Sequence, residues 1–208
     1  MTADQDRAAV LAEMELARRD FRELLTRADS AGLRRQSDGT RWTNQQLLFH
    51  MFFGYLVVRA LLVLVKVFDR LPRAASLVFA RMLDAAHTPF HLVNYLGSCA
   101  GARIIPAARM PVMLDHVIGV LQRRLRCETG TALGRGMYYP TSWDPFFAEY
   151  MTLAQLYHFP TQHFRYHQRQ LTLGPGGIAH NGDAGGHRGP RCHRIRSFRI
   201  PSSSIIVD

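Results

Sequence analysis

Apolar residues recur at steps of three and four over long stretches of the chain, and polar residues between them sit at the spacings that start and stop helices. Val10, Met14, Ala17, Phe21, Leu24 and Ala28 form the first stripe, with Thr2 and Gln5 at capping-box spacing ahead of it. The pattern predicts an amphipathic helix closing near Gly32, then a polar turn over 34–40. The second start is marked more sharply. Thr43 is placed to cap Gln46 and Gln46 to reach back, while Trp42 and Leu47 hold the two positions of a hydrophobic staple, so a helix is expected from Asn44 to about Asp69. Its stretch from Leu47 to Phe68 is apolar enough to resemble a membrane span. His50, Arg59 and Lys66 interrupt it, however, and an arginine at mid-bilayer is costly, so a buried bundle helix is the favoured reading.

From Leu71 to Ile105 the pattern is short and broken: Ala74 to Ala86 reads as helix, Pro89 interrupts, and Phe90 to Leu96 is apolar. This segment is expected as a helical insertion packed on the bundle. Met113, Leu114, Val117, Ile118, Leu121 and Leu125 then predict a third long helix from Met110, with Pro111 tolerable in its first turn. Met137 to Met151 gathers six aromatic residues around Pro140 and Pro145 and reads as an ordered loop. Thr152 and Gln155 are expected to cap a short turn, and Pro160 to open the last helix, to about Leu173. The expected fold is thus all-α, one helical domain over 1–173 followed by a Gly/Arg-rich tail over 174–208 too poor in apolar residues to pack a core.

Composition changes this picture little. The 208 residues carry a net charge of +10, nearly all of its basic side arginine. Those arginines are spread over the whole length rather than gathered on one stripe with aromatics, so nucleic acid is not favoured as a partner. Cys99, Cys127 and Cys192 share no CxxC spacing, and Met1 to Val10 lacks the profile of a secretory signal, so a reducing cytoplasm is expected. No phosphate loop, nucleophile elbow or HExxH motif is present in the sequence.

His163 and His167, four apart on the last helix, project from one face and together suit a metal ion. Spacing alone says little, because ten histidines placed at random give about 0.4 such pairs, and His87 and His91 form a second one across Pro89. His50 adds weight. It lies on the most apolar helix, on the face of Leu47, Gly54 and Leu61, so it must either find a hydrogen-bond partner in the bundle or share a metal with the pair on the last helix. Asp144 beside Pro145 reads as a turn-capping residue before a general acid or base. Cys99 and Cys127 read as small apolar core residues, and His180, His187, Cys192 and His193 as adventitious binders in the tail.

Two strings resemble the DinB/YfiT-like family. Trp42-Thr43-Asn44-Gln45-Gln46-Leu47-Leu48-Phe49-His50 is similar to the start of that family's second helix. His163-Phe164-Arg165-Tyr166-His167-Gln168-Arg169-Gln170-Leu171, after Tyr157-His158-Phe159-Pro160, is similar to its closing helix with the HxxxH pair. The segment from Tyr139 to Phe147 is similar to a stretch of an actinobacterial subgroup, and the resemblance spans about residues 5–173. It implies an up-down-down-up four-helix bundle in which His50, His163 and His167 hold a divalent transition metal, zinc first, with nickel, iron or manganese as alternatives. It further implies a low-molecular-weight thiol such as mycothiol or bacillithiol and an electrophilic substrate, used in S-transfer or isomerisation, and a homodimer. Many members of the family have no assigned activity, so a non-catalytic binding or membrane-surface module stands as the alternative. The long insertion and the tail depart from the family's simplest pattern. Arg59 and Arg165 are candidate carboxylate binders, and Asn44, Tyr166 and Gln170 are candidates to orient an imidazole.

Overall fold

The computed structural model describes residues 3–173. Thr2 of the first expected cap and the tail over 174–208, with its histidines and Cys192, lie outside the described residues. Four helices make the bundle: α1 (Ala3–Arg27), α3 (Asn44–Phe68), α6 (Met110–Cys127) and α8 (Leu153–Gln168). Between them come α2 (Ser30–Arg34), the insertion helices α4 (Arg73–Ala85) and α5 (His87–Ile104), and the short α7 (Gly130–Leu133).

Cross-helix contacts fix the directions. Arg18 meets Gln122 and Arg22 meets Asp115, so α1 and α6 are antiparallel. His158 meets Glu13 and Phe164 meets Phe21, so α1 and α8 are parallel. Tyr55 meets Thr161 and His50 meets His167, so α3 and α8 are antiparallel. The result is up-down-down-up, each helix packed on two others. The predicted stripes supply the core: Met14 and Phe21 from α1, Leu114 and Ile118 from α6, and Phe164 from α8 are essentially inaccessible, each side chain contributing about 1.5–3 kcal/mol by burial. Over half of the apolar stretch of α3 is buried inside this bundle.

Several local expectations are corrected. The first helix stops at Arg27 rather than Gly32, because the Asp29 side chain accepts the Gly32 amide at 2.5 Å and starts α2 as a separate helix. Pro89 does not interrupt the insertion; it sits in the first turn of α5, where no intrahelical donor is lost. The aromatic segment is bounded by a two-stranded antiparallel ribbon, β1 (Gly136–Tyr138) and β2 (Tyr150–Thr152), with Met137 opposite Met151. Such three-residue strands carry no period a sequence can reveal.

The largest correction concerns the closing helix. Thr152 and Gln155 form a full capping box that opens α8, and Pro160 lies inside the helix, which ends at Gln168 rather than near Leu173. An internal proline costs about 3 kcal/mol. The turn before it, however, buries Leu153, Leu156 and Tyr157 almost completely, and three such side chains at about 1.5–3 kcal/mol each outweigh that loss.

Candidate three-histidine metal centre

His50 sits in the second turn of α3 and His163 and His167 in the last turns of the antiparallel α8, so the fold brings two segments more than a hundred residues apart in the chain into one place. One ring nitrogen from each histidine lies within 4.8 Å of those of the other two. The ring centroids are 4.5 to 4.9 Å apart, and all three residues are buried. Gly54, one turn beyond His50 on α3, makes room: a Cβ there would stand 3.0 Å from the His163 ring.

The hydrogen bonds decide which nitrogen of each ring is available. Ser98 Oγ donates to the Asn94 carbonyl at 2.9 Å, so with its single proton used it accepts from His50 Nδ1, 3.3 Å away. Asp144 Oδ2 accepts from His163 Nδ1 at 2.9 Å, and Gln170 Oε1 from His167 Nδ1 at 2.6 Å. All three Nδ1 atoms therefore carry protons, so Nε2 is the atom that each ring, when neutral, offers to a metal. His163 Nε2 is buried with no partner among the described residues. An uncompensated buried acceptor of this kind is costly, and a divalent cation would satisfy it. Three imidazoles with acceptors behind them are the donor set that borderline metals take.

Electrostatics point the same way. Burial, reinforced by the neighbouring His163 and His167, holds His50 well below the ordinary histidine value. Burial and His163 bring His167 down to about 4, against the opposing pull of Gln170 and Asp144. Both rings are thus neutral, ligand-competent bases at pH 7. Trp42 stacks on His50 at 4.4 Å between centroids and covers the cluster on that side.

The other candidates divide. Gln170 does orient an imidazole. Asn44 does not: its side chain binds the Gly32 carbonyl and Thr172, tying the start of α3 to α2 and to the segment after α8. Tyr166 packs edge-on against His167 and Phe146 with its side chain exposed. Arg59 and Arg165 are exposed and, nine residues from His50 and two from His163, point away from the ligand face. Arg41 lies over Tyr95, which in turn stacks on Trp42. Cys127 is exposed rather than buried, and Cys99 is half-buried. His87 and His91 share α5, with rings 6.4 Å apart and no third ligand beside them among the described residues.

Two partners escaped the sequence reading. Asp144 is the turn cap that the sequence suggests, Oδ1 accepting from the Phe146 amide at 2.9 Å, but its Oδ2 also holds His163, a role the sequence does not announce. Its only signal was a carboxylate in a rigid, Pro-flanked loop. Ser98 gave no signal, since its contact with His50 depends on how α5 packs across α3.

A family model for the DinB superfamily matches residues 13–171. No curated protein and no solved structure matches the chain. The match runs from the middle of α1 past the end of α8 and includes both strings that carry the three histidines, and the chain belongs to the DinB superfamily.

Proposed function

We propose that the protein is a metal-dependent enzyme that activates a low-molecular-weight thiol, of the mycothiol or bacillithiol kind, for S-transfer or isomerisation at His50, His163 and His167. One observation carries the reading. Three buried imidazoles each give Nδ1–H to an acceptor from a different segment, which leaves the three Nε2 atoms for a metal in one small space and that of His163 without a partner. A divalent transition metal bound there, zinc first by its donor set, would supply a Lewis acid that favours the thiolate form of a thiol at neutral pH.

The chain's own residues do the rest. Ser98, Asp144 and Gln170 fix the ring tautomers and orientations, so that the ligand lone pairs are presented without reorganisation. Trp42 shields His50 from water. The depressed basicity of His50 and His167 keeps protons from competing for the lone pairs in a neutral cytoplasm. A thiol made nucleophilic in this way needs no separate protein base.

The test is thioether formation between mycothiol or bacillithiol and an alkylating electrophile, followed with the full-length zinc-loaded protein. Metal-dependent turnover that disappears on chelation and in His163→Ala supports the proposal. A fully loaded protein that accelerates the reaction of neither thiol overturns it.

A further inference from the structure

Two of the three acceptors behind the histidines depend on the insertion. Ser98 of α5 accepts from His50 directly, at 3.3 Å. Asp144 accepts from His163 at 2.9 Å, but it sits in the loop that joins β1 to β2, and a loop places a side chain only as firmly as its own backbone is held. Downstream of Asp144 the hold comes from α8: Phe146 packs on Tyr166 and Phe147 on Phe159, with ring centroids 5.7 and 4.6 Å apart. Upstream, at Ser142 and Trp143, it comes from the insertion.

The insertion turns a corner at Ala86, between the end of α4 and the start of α5, and this corner grips the loop. Asp84 Oδ1 accepts from the Ser142 amide at 3.1 Å and from the Ser142 hydroxyl at 2.7 Å. The Leu83 carbonyl accepts from Trp143 Nε1 at 3.0 Å, and the Trp143 ring lies flat on Phe90, with 3.6 Å between centroids and 8° between planes. Helix stability does not account for Asp84. It stands in the last turn of α4, at the negative end of the helix dipole, where a carboxylate is unfavourable. What the carboxylate does there is fix the residue two places before Asp144.

We infer that Asp84 is a positioning residue of the metal centre: from the end of α4 it fixes Ser142, and through Ser142 the place of the Asp144 carboxylate against His163. The inference rests on the metal reading of the three histidines and not on the thiol chemistry. It also gives the insertion a task. Ser98 stands behind His50 on α3 and Asp84 acts behind His163 on α8, so ligands from two different helices are oriented from this one segment. Outer partners of a metal-ligating histidine set its affinity for the ion, and a residue that places such a partner acts on the same quantity at one remove.

A double-mutant cycle on the full-length protein, read as zinc affinity by competition with a chromophoric chelator, tests this. Asp84→Ala keeps a good helix former in α4 and should bind zinc about three- to tenfold more weakly, with unchanged helical circular dichroism. Asp84→Asn should stay within about twofold of the wild type, because a single oxygen accepts both Ser142 bonds and the amide retains it. In an Asp144→Ala background, Asp84→Ala should change the affinity by about twofold or less, since the place of the loop then no longer matters to His163. A zinc-binding wild type matched by Asp84→Ala would overturn the inference and leave the metal centre standing. Equal losses with and without Asp144 would overturn it as well, because Asp84 would then reach the site by another route, and so would an Asp84→Asn variant as weak as Asp84→Ala. A wild type that takes up no zinc would overturn the metal centre and this inference with it.

Discussion

Replacing Asp144 by alanine removes the acceptor behind His163 while leaving all three ligands in place. The carboxylate lies 2.9 Å from Nδ1, and both side chains are largely buried, at 13% and 7% exposure. A hydrogen bond to a charged group in such a setting is worth about 1.5–3 kcal/mol, which corresponds to roughly 10- to 150-fold in metal affinity. Loss of a partner behind a metal-ligating histidine typically costs about 10–100-fold, in agreement. Alanine also deletes the turn bond to the Phe146 amide, so Asp144→Asn serves as its companion: the amide oxygen can still cap the turn, while the NH2 that replaces Oδ2 cannot accept from His163 Nδ1–H. Zinc affinity measured by competition with a chromophoric chelator at neutral pH should fall about 10–100-fold in both variants. Affinities within roughly a factor of two of wild type in both would refute the reasoning, because His163 would then be oriented by the helix alone.

Gly54→Ala places a methyl group 3.0 Å from the His163 ring, so metal affinity should drop by about tenfold or more while the melting temperature moves little; unchanged affinity would mean the ring can yield. The metal-free protein should lose stability on acidification. The folded values of His50 and His167 are depressed, the latter to about 4 from 6.5, so the unfolded chain takes up protons first as the pH falls below 6.5. Between pH 6.5 and 5 the His167 contribution is about 2 kcal/mol, read as the difference in urea midpoint between wild type and His167→Gln. Asn44→Ala leaves the Gly32 carbonyl and the Thr172 amide without their partner and should cost about 1–3 kcal/mol in chemical denaturation, with metal affinity little changed.

The bundle could be read from the chain because its signals are local and repeated. Thr43, Gln46 and the stripe of α3 agree on one helix start, and the structure has both bonds of that box. The three histidines could be read because two lie on one helix face and the third is a polar group on an apolar helix with few ways to be satisfied. Errors arose where tertiary packing overrules a local rule. Pro160 breaks a helix by propensity, but burial of Leu156 and Tyr157 holds α8 together through it. Pro89 was read as an interruption because the start of α5 has no side-chain cap to announce it. Asp144 and Ser98 reach the histidines from a loop and from an insertion, across 19 and 48 residues of sequence, and no periodicity spans such distances.

The central claim is that His50, His163 and His167 form one metal site, and elemental analysis of protein purified without an affinity tag tests it most directly. The account predicts close to one equivalent of a divalent transition metal per chain, lost in both His50→Ala and His163→Ala although the two residues lie on different helices. A wild type that holds no metal after incubation with zinc or nickel, or variants that retain as much metal as the wild type, would contradict it.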